Sequence, residues 1–350
     1  IVYDNDQLDK YMAEAAKISP DHPVYLDRFL EAAIEVDVDA LCDGKDVFVG
    51  GILEHIEMAG IHSGDSACCT PPFSLSLSLQ EQLRDIARRL ALRLGVVGLL
   101  NIQFAIKDQV IYVIEANPRA SRTVPFVSKS TGVPLAKIAA RIMAGEKLAD
   151  LHLPADDREF DYFCVKEAVM PFGRFPGSDV VLGPEMKSTG EVMGIAGNFP
   201  AAFTKTQLAI DYEPPRGGEV FISVNDGDKR NITAIARSIA RLGFSLVATT
   251  GTARALRASG IECEEVGKIH AGSHTILDRI ASGEIVLMIN TPFGSSTNTD
   301  GYEMRAACVR HGVSYCTTLA GAQALIAGME AVRETGLDVI ALQDLPQWEG

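Results

Sequence analysis

The sequence predicts an α+β unit over residues 1–210, a linker at 211–218, and an α/β doubly wound parallel sheet over 219–350. Three observations carry this. The stretches 35–53 and 101–117 alternate polar and apolar residues around turn chemistry, the signature of antiparallel hairpins. From 219 onward strand-like and helix-like segments alternate five times, a rhythm that implies a parallel sheet with helices on both faces. Between the two patterns, Pro214-Pro215-Arg216-Gly217-Gly218 interrupts both.

Composition bounds the function classes. A chain of 350 residues, 47% hydrophobic and 22% charged, can bury more than one full core. Its net charge of −14 is acidic on both sides of residue 210, so a polynucleotide is excluded as the expected partner. Seven cysteines without a C-x-x-C spacing fit a reduced, cytoplasmic chain, with the vicinal Cys68-Cys69 read as small buried hydrophobes. No apolar run approaches the roughly 18 residues of a membrane span, and no basic-then-apolar leader opens the chain. The first residues, Ile-Val-Tyr-Asp, read as a strand entered in mid-domain, so the chain is expected to be a fragment.

In order, residues 5–17 carry Leu8, Tyr11, Met12 and Ala15 at helical spacing behind an Asn5 or Asp6 cap. Val24 to Leu30 reads as a strand. Glu35-Val36-Asp37-Val38-Asp39 strictly alternates acid with β-branched residue, which fits either a solvated edge strand or an acidic binding face. Asp43-Gly44 turns it into a second strand over 46–53. The glycine-rich loop beyond holds His55 and His62, each of which fits a hydrogen-bonded structural role as well as a ligand contact. A helix with Leu79, Leu83, Ile86, Leu90 and Leu94 on one stripe closes at Gly95, and another follows Pro134. Residues 151–218 show only short strand-like pieces, YFCVKEAVM and EVMGIA among them.

Chemistry concentrates in 101–123, NIQFAIKDQVIYVIEANPRASRT. Glu115 and Asn117 are two apart and share a strand face, and a turn centred on Asp108 sets Gln103 opposite Val113 with the pleat orientation of Glu115. One carboxylate and two amide oxygens suit a hard cation such as Mg²⁺, whose shell is completed by substrate phosphates. Arg119 and Arg122 follow Pro118 as cations able to grip phosphate oxygens. Alone, Glu115 and Asn117 also fit a solvated strand end. Farther on, Thr249-Thr250-Gly251-Thr252 forms a strand-to-helix turn that could cradle an anion or simply cap a helix.

The run IEANPRASRTVPFVSKSTGVPLAKIAARIMAG, together with EVDVDALCDG, GIHSGDSA and GPEMKSTGEVMG, resembles the second half of the carbamoyl-phosphate synthetase large chain, an ATP-grasp enzyme. KRNITAIARSIARLGFSLVATTGTARAL resembles that family's methylglyoxal-synthase-like regulatory domain. The resemblance covers essentially the whole chain. It implies a partial ATP-grasp unit that phosphorylates carbamate to carbamoyl phosphate with ATP and Mg²⁺ or Mn²⁺, feeding pyrimidine and arginine biosynthesis. Arg28, Leu30, Glu35, Gly60, Ile61, His62, Ser63, Gln103 and Glu115 match nucleotide-binding positions; Gln103, Glu115 and Asn117 match metal positions; Arg119 and Arg122 would steady carbamate and the transferring group. Lys229, Thr249, Thr252, Lys268 and Asn290 match the contacts to a nucleotide monophosphate such as UMP or IMP, although 291–299 lacks arginines that some relatives have. Glu57, Asp65, Glu167, Tyr315 and Thr317 match an ornithine site, with the Cys316 side chain expected to point away. A glutamine amidotransferase small chain, bicarbonate and an oligomeric full enzyme are implied partners. The other readings are a different ATP-grasp carboxylase or ligase, and a non-catalytic nucleotide sensor.

Overall fold

The computed structural model describes residues 2, 4–18, 23–155, 160–174, 179–267, 275–292 and 298–348. Helix α1 (Asn5–Ile18) stands where the apolar spacing places it. Ile1 and Tyr3 of the expected opening strand lie outside the described residues. The stretch 23–30 is irregular, not the strand expected from its β-branched and aromatic content. Val24, Tyr25, Leu26 and Phe29 are exposed there, and without a neighbouring strand to bury them β propensity has nothing to act on.

The first unit is a seven-stranded sheet. Its elements are β1 (Ile34–Asp43), β2 (Val47–Met58), β3 (Cys68–Thr70), α2 (Leu77–Arg93), β4 (Val97–Lys107), β5 (Val110–Asn117), α3 (Val124–Thr131), α4 (Leu135–Met143), β6 (Phe163–Val169), β7 (Gly190–Ala196) and α5 (Phe199–Ala209). Strand order is β5-β4-β1-β2-β3-β6-β7, every pairing antiparallel. Helix α2 starts at Ser76, whose side chain accepts from Leu79 N, and buries Leu79, Leu83, Ala87 and Ala91 against β1 and β2. On the other sheet face α3 and α4 bury Phe126, Val127, Leu135 and Ile138. β1 lies between β4 and β2, so the acidic alternation is no solvated edge: Asp37 is 1% and Asp39 0% exposed.

The 101–117 hairpin turns on Asp108 (φ 50°) and Gln109 (φ 64°), both left-handed as a two-residue I′ turn requires, and Lys107 pairs with Val110. A β-bulge follows. Phe104 faces Val113 but Gln103 faces Glu115, two residues beyond the expected Val113: the two-residue turn moves the register by one, and the extra residue Ile114 on β5 moves it by one more. The bulge brings Gln103 directly across from the carboxylate.

The second unit comprises β8 (Glu219–Val224), α6 (Ile232–Arg241), β9 (Ser245–Thr249), α7 (Thr250–Ala258), β10 (Glu264–Val266), α8 (Ile276–Ala281), β11 (Ile285–Thr291), α9 (Asn298–His311), β12 (Ser314–Cys316) and α10 (Leu319–Thr335). All its strand pairings are parallel, in the order β10-β9-β8-β11-β12. Strand order reverses between β8 and β11, and beyond the carboxyl ends of those strands a crevice is expected. The two units share a core: Ala202 and Phe203 of α5 pack with Leu325 and Met329 of α10. The C-terminal segment also returns to the first unit, where Trp348 donates through its backbone N to Gly132 O (2.9 Å) and through Nε1 to Leu151 O (3.2 Å).

Candidate active site

A cavity of about 1080 Å³ opens on the first sheet where β1, β4 and β5 meet the loop 59–64 and the segment 184–191. Every residue that the sequence assigned to nucleotide, metal or transfer lines it: Arg28, Leu30, Glu35, Gly60 to Ser63, Gln103, Glu115, Asn117, Arg119 and Arg122. Gln103 and Glu115 oppose each other across the bulge, and Asn117 Nδ2 donates to Glu115 Oε1 (2.8 Å). Among the described residues no group of three His, Cys, Asp or Glu could hold a metal. The donor set at this hairpin is one exposed carboxylate and two amides, which fits a hard cation that draws the remaining oxygens from a substrate.

The loop carrying the two arginines is fixed by a buried acid. Asp39 accepts from Asn101 Nδ2 (3.0 Å) and Ser121 Oγ (2.7 Å) at Oδ1, and from Thr123 Oγ1 (2.5 Å) at Oδ2. Burial pushes its carboxyl up to about 6 although the hydroxyl donors pull the other way. Between those two clamped hydroxyls, Arg122 reaches across to Met186 Sδ, and its guanidinium passes over Gly64, where a Cβ would lie 2.9 Å from Nη1. Gly64 N donates to His62 Nδ1 (3.0 Å), which makes Nε2 the protonated nitrogen of the neutral ring.

Two cavity residues escaped the sequence reading. Asp37 lies on the same β1 face as Glu35 and binds His55, with Nε2 to Oδ2 at 2.9 Å. Burial lowers the His55 pKa, but Asp37's hydrogen bond and charge, together with Glu35, raise it overall. His55 is thus a buried side chain held by Asp37 beneath the cavity. Burial in turn raises the Glu35 carboxyl. Lys166, 2% exposed on β6, donates to Ser63 O (3.3 Å). A lone cation inside the apolar run YFCVKEAV was the available signal.

The five residues grouped for an ornithine-like effector do not all converge. Glu57 and Glu167 do: burial raises both, and the charge of Glu57 adds to the rise of Glu167, which reaches about 8. Asp65 is 1% exposed and both of its oxygens accept backbone N–H groups, from Lys187 (2.8 Å) and Ser188 (2.9 Å). Strand alternation on β12 runs opposite to expectation. Tyr315 packs into the cluster of Phe221, Met288 and Met304, whereas Cys316 stands beside Glu57 and Glu167, whose charges help raise its thiol. Thr317 lines a separate 550 Å³ cleft with Met58 and α10. Cys68 and Cys69 are buried, and burial raises their thiols, Cys68 to about 12, which leaves them inert.

Comparison with known proteins agrees with this layout. Residues 1–151 match the family model of the carbamoyl-phosphate synthase L chain ATP binding domain, and residues 231–317 match an MGS-like domain. The carbamoyl phosphate synthase large chain of Methanothermobacter thermautotrophicus is 52% identical over 353 residues, covering 100% of this chain and 33% of that protein. The large chain of Pasteurella multocida is 52% identical over 348 residues, 99% of this chain and 32% of that one. Over its whole length the chain is similar to carbamoyl phosphate synthase large chains. It spans about a third of the length of the curated relatives it matches. Among solved structures, the biotin carboxylase domain of a thermophilic 2-oxoglutarate carboxylase superposes with a TM-score of 0.47 at 18% identity, covering 60% of this chain and 54% of that one.

The second sheet has its own cavity, about 370 Å³, at the strand-order reversal. Thr249 and Asn290 line it, as do Asp300 and Arg305, which the sequence reading did not single out. Thr252 is buried and structural, accepting from Val224 N (3.3 Å). Lys229 ion-pairs with exposed Asp226 and places Nζ over Gly251 at the start of α7. Lys268 lies outside the described residues, as does most of 291–299.

Proposed function

We propose that this chain supplies the site at which a carbamoyl phosphate synthase large chain phosphorylates carbamate with MgATP. The observation that carries the reading is the single cavity that gathers Gln103, Glu115 and Asn117 with Arg119 and Arg122 at its rim. Gln103, Glu115 and Asn117 would hold Mg²⁺ or Mn²⁺, whose chemistry when bound is to neutralise charge on the β- and γ-phosphates. Glu35 would hold the ribose hydroxyls, and the backbone of 60–63 with protonated His62 Nε2 would hold the base and sugar side. A carbamate oxygen attacks the γ-phosphorus, the bond to the β-bridging oxygen breaks, and ADP leaves. Phosphoryl transfer of this kind needs positioning and charge neutralisation more than covalent help, so no nucleophilic residue is assigned. Arg119 and Arg122 present planar forks to carbamate and the transferring phosphoryl oxygens.

The cavity of the second sheet is read as the site of a regulatory nucleotide monophosphate, UMP or IMP, with Thr249, Asn290 and the free N–H groups of α7 facing the phosphate and ribose. Glu57 and Glu167, two carboxylates forced together without a full counter-charge, suit an amine effector such as ornithine. A glutamine amidotransferase small chain would supply the nitrogen.

The reverse partial reaction tests the catalytic reading. A full-length large chain carrying these residues should form ATP from carbamoyl phosphate and MgADP. A folded, ADP-binding protein that forms none would transfer the assignment to another ATP-grasp ligase.

A further inference from the structure

Past the Gly336 cap of α10 the chain leaves the second unit and docks on the first. Residues 337–341 run mostly exposed, with Asp338 accepting from Lys205 Nζ of α5 (2.8 Å). Ile340, Leu342, Leu345 and Trp348 then pack on the core that α3 and α4 build, and Leu345 is buried there. Pro346 bars a helical conformation at Leu345, which stands extended at φ −72° and ψ 151°. The tail therefore lies along α3 and α4 and does not coil away from them.

The contact converges on one helix end. Gly132 caps the C-terminus of α3 at φ 71°, and a Cβ there would lie 1.8 Å from Pro346 O. Trp348 N donates to Gly132 O (2.9 Å), and Trp348 Nε1 to Leu151 O (3.2 Å). Lys137 Nζ lies 6.0 Å and Arg141 Cζ 5.6 Å from the indole centroid, close enough for both cations of α4 to be drawn to the ring face. Helix α3 has eight residues and is about 12 Å long. Its other end is the loop of Arg119 and Arg122: Thr123 is the N-cap residue, and Ser121 Oγ accepts from Val124 N (3.2 Å). Asp39 thus holds one end of α3 and the tail holds the other. Tyr162 Oη donates to Ser130 O (2.8 Å), which keeps the helix on the sheet and leaves its final turn to the tail.

We infer that residues 337–348 are a positioning element of the catalytic site: by fixing Gly132 they set the tilt of α3, and through it the reach of Arg119 and Arg122 toward carbamate and the transferred phosphoryl group. The inference rests on the catalytic reading above and adds to it a contributor outside the cavity. A short helix clamped at both ends passes a displacement at one end to the other, and a misplacement of about 1 Å at reacting groups changes rates by about 10²-fold. The nucleotide contacts, Glu35 and residues 60–63, are carried by β1 and the loop after β2, so the sheet anchors them and α3 does not. Loss of the tail should therefore act on the carbamoyl end of the site and spare the nucleotide end. The effect needs no ligand in the second-sheet cavity.

The test uses the full-length large chain carrying these residues, assayed for ATP formation from carbamoyl phosphate and MgADP, with the residues from 337 onward removed. The shortened chain should show kcat lowered about 10-fold and the KM for carbamoyl phosphate raised about 5-fold, with the KM for MgADP within about 2-fold of the unaltered value. Trp348→Ala, which removes one half-buried ring, should show the same split at about a third of the size and carries the test if the shortened chain does not fold. Trp348→Phe keeps a ring for Lys137 and Arg141 and should recover most of the loss. A fall in kcat with both KM values unchanged is what lost folded protein alone produces, and that result, or equal changes in both KM values, overturns the inference. Hydrogen exchange in Trp348→Ala should be faster at amides 124–131 and unchanged at 97–107; no change at 124–131 refutes the tail's role alone. An unaltered large chain that forms no ATP refutes the catalytic reading and this inference together.

Discussion

Glu115→Gln in the full-length synthase is expected to reduce ATP formation from carbamoyl phosphate and MgADP by about 10³-fold, the scale on which loss of one directed electrostatic group slows phosphoryl or acyl transfer. Glu115 provides the sole carboxylate among the three proposed metal positions, opposite Gln103 and bonded to Asn117. Glutamine keeps the shape and an acceptor oxygen but removes the charge that offsets a divalent cation. Stability should change by less than about 1 kcal/mol, because the side chain is exposed and its loss leaves no buried group unpaired. Equal activity of the variant, measured at saturating MgADP, would remove Glu115 from the mechanism. UMP binding to the second sheet should be unaffected, which separates an enzyme from a bare nucleotide sensor.

Asp39→Ala is expected to destabilise the chain by about 3 kcal/mol and to reduce the same partial reaction about 10²-fold. Alanine strands the donors of Asn101, Ser121 and Thr123 in a fully buried position, at roughly 1–3 kcal/mol each, partly offset because Ser121 and Thr123 already bond each other at 2.8 Å. The loop they fix carries Arg119 and Arg122, so activity falls with positioning. Asp39→Asn should behave differently. The folded carboxyl titrates near 6, above its ordinary 3.8, so its contribution to stability is present below pH 3.8 and is lost as pH rises through 6. Above that, the buried charge costs about 3 kcal/mol at 1.36 kcal/mol per pH unit. Asparagine carries no such term, and urea unfolding of this variant should show a smaller pH dependence between 4 and 6 than the unaltered chain, the remainder belonging to Glu35, Glu57 and Glu167, which burial also raises. A variant that keeps the full pH dependence would assign it to another group.

Much of this was legible in the sequence where period and turn chemistry agree. The 35–53 and 101–117 hairpins, the stripe of α2 and the strand-helix alternation after 219 all stand where patterning put them. The register of Gln103 was not, because the turn is centred between Asp108 and Gln109 rather than on Asp108, and a bulge then adds one more residue on β5. Val24 to Leu30 has strand-like composition but no partner, and composition cannot supply one. The orientation of Cys316 was misread because a three-residue strand offers too short a run to fix which face is buried. Lys166 and Arg305 were missed for one shared reason: each is a buried basic side chain whose partners lie in distant segments, and only the fold brings Arg305 of α9 against Asp179 of the first unit.

Crystals of the chain grown with MnADP, with the manganese located by its anomalous scattering, test the central claim most directly. The account predicts Mn²⁺ coordinated by Gln103, Glu115 and Asn117 oxygens, with the phosphates of ADP reaching toward Arg119 and Arg122. Manganese bound elsewhere, or ADP seated in the second-sheet cavity with the first one empty, would contradict it.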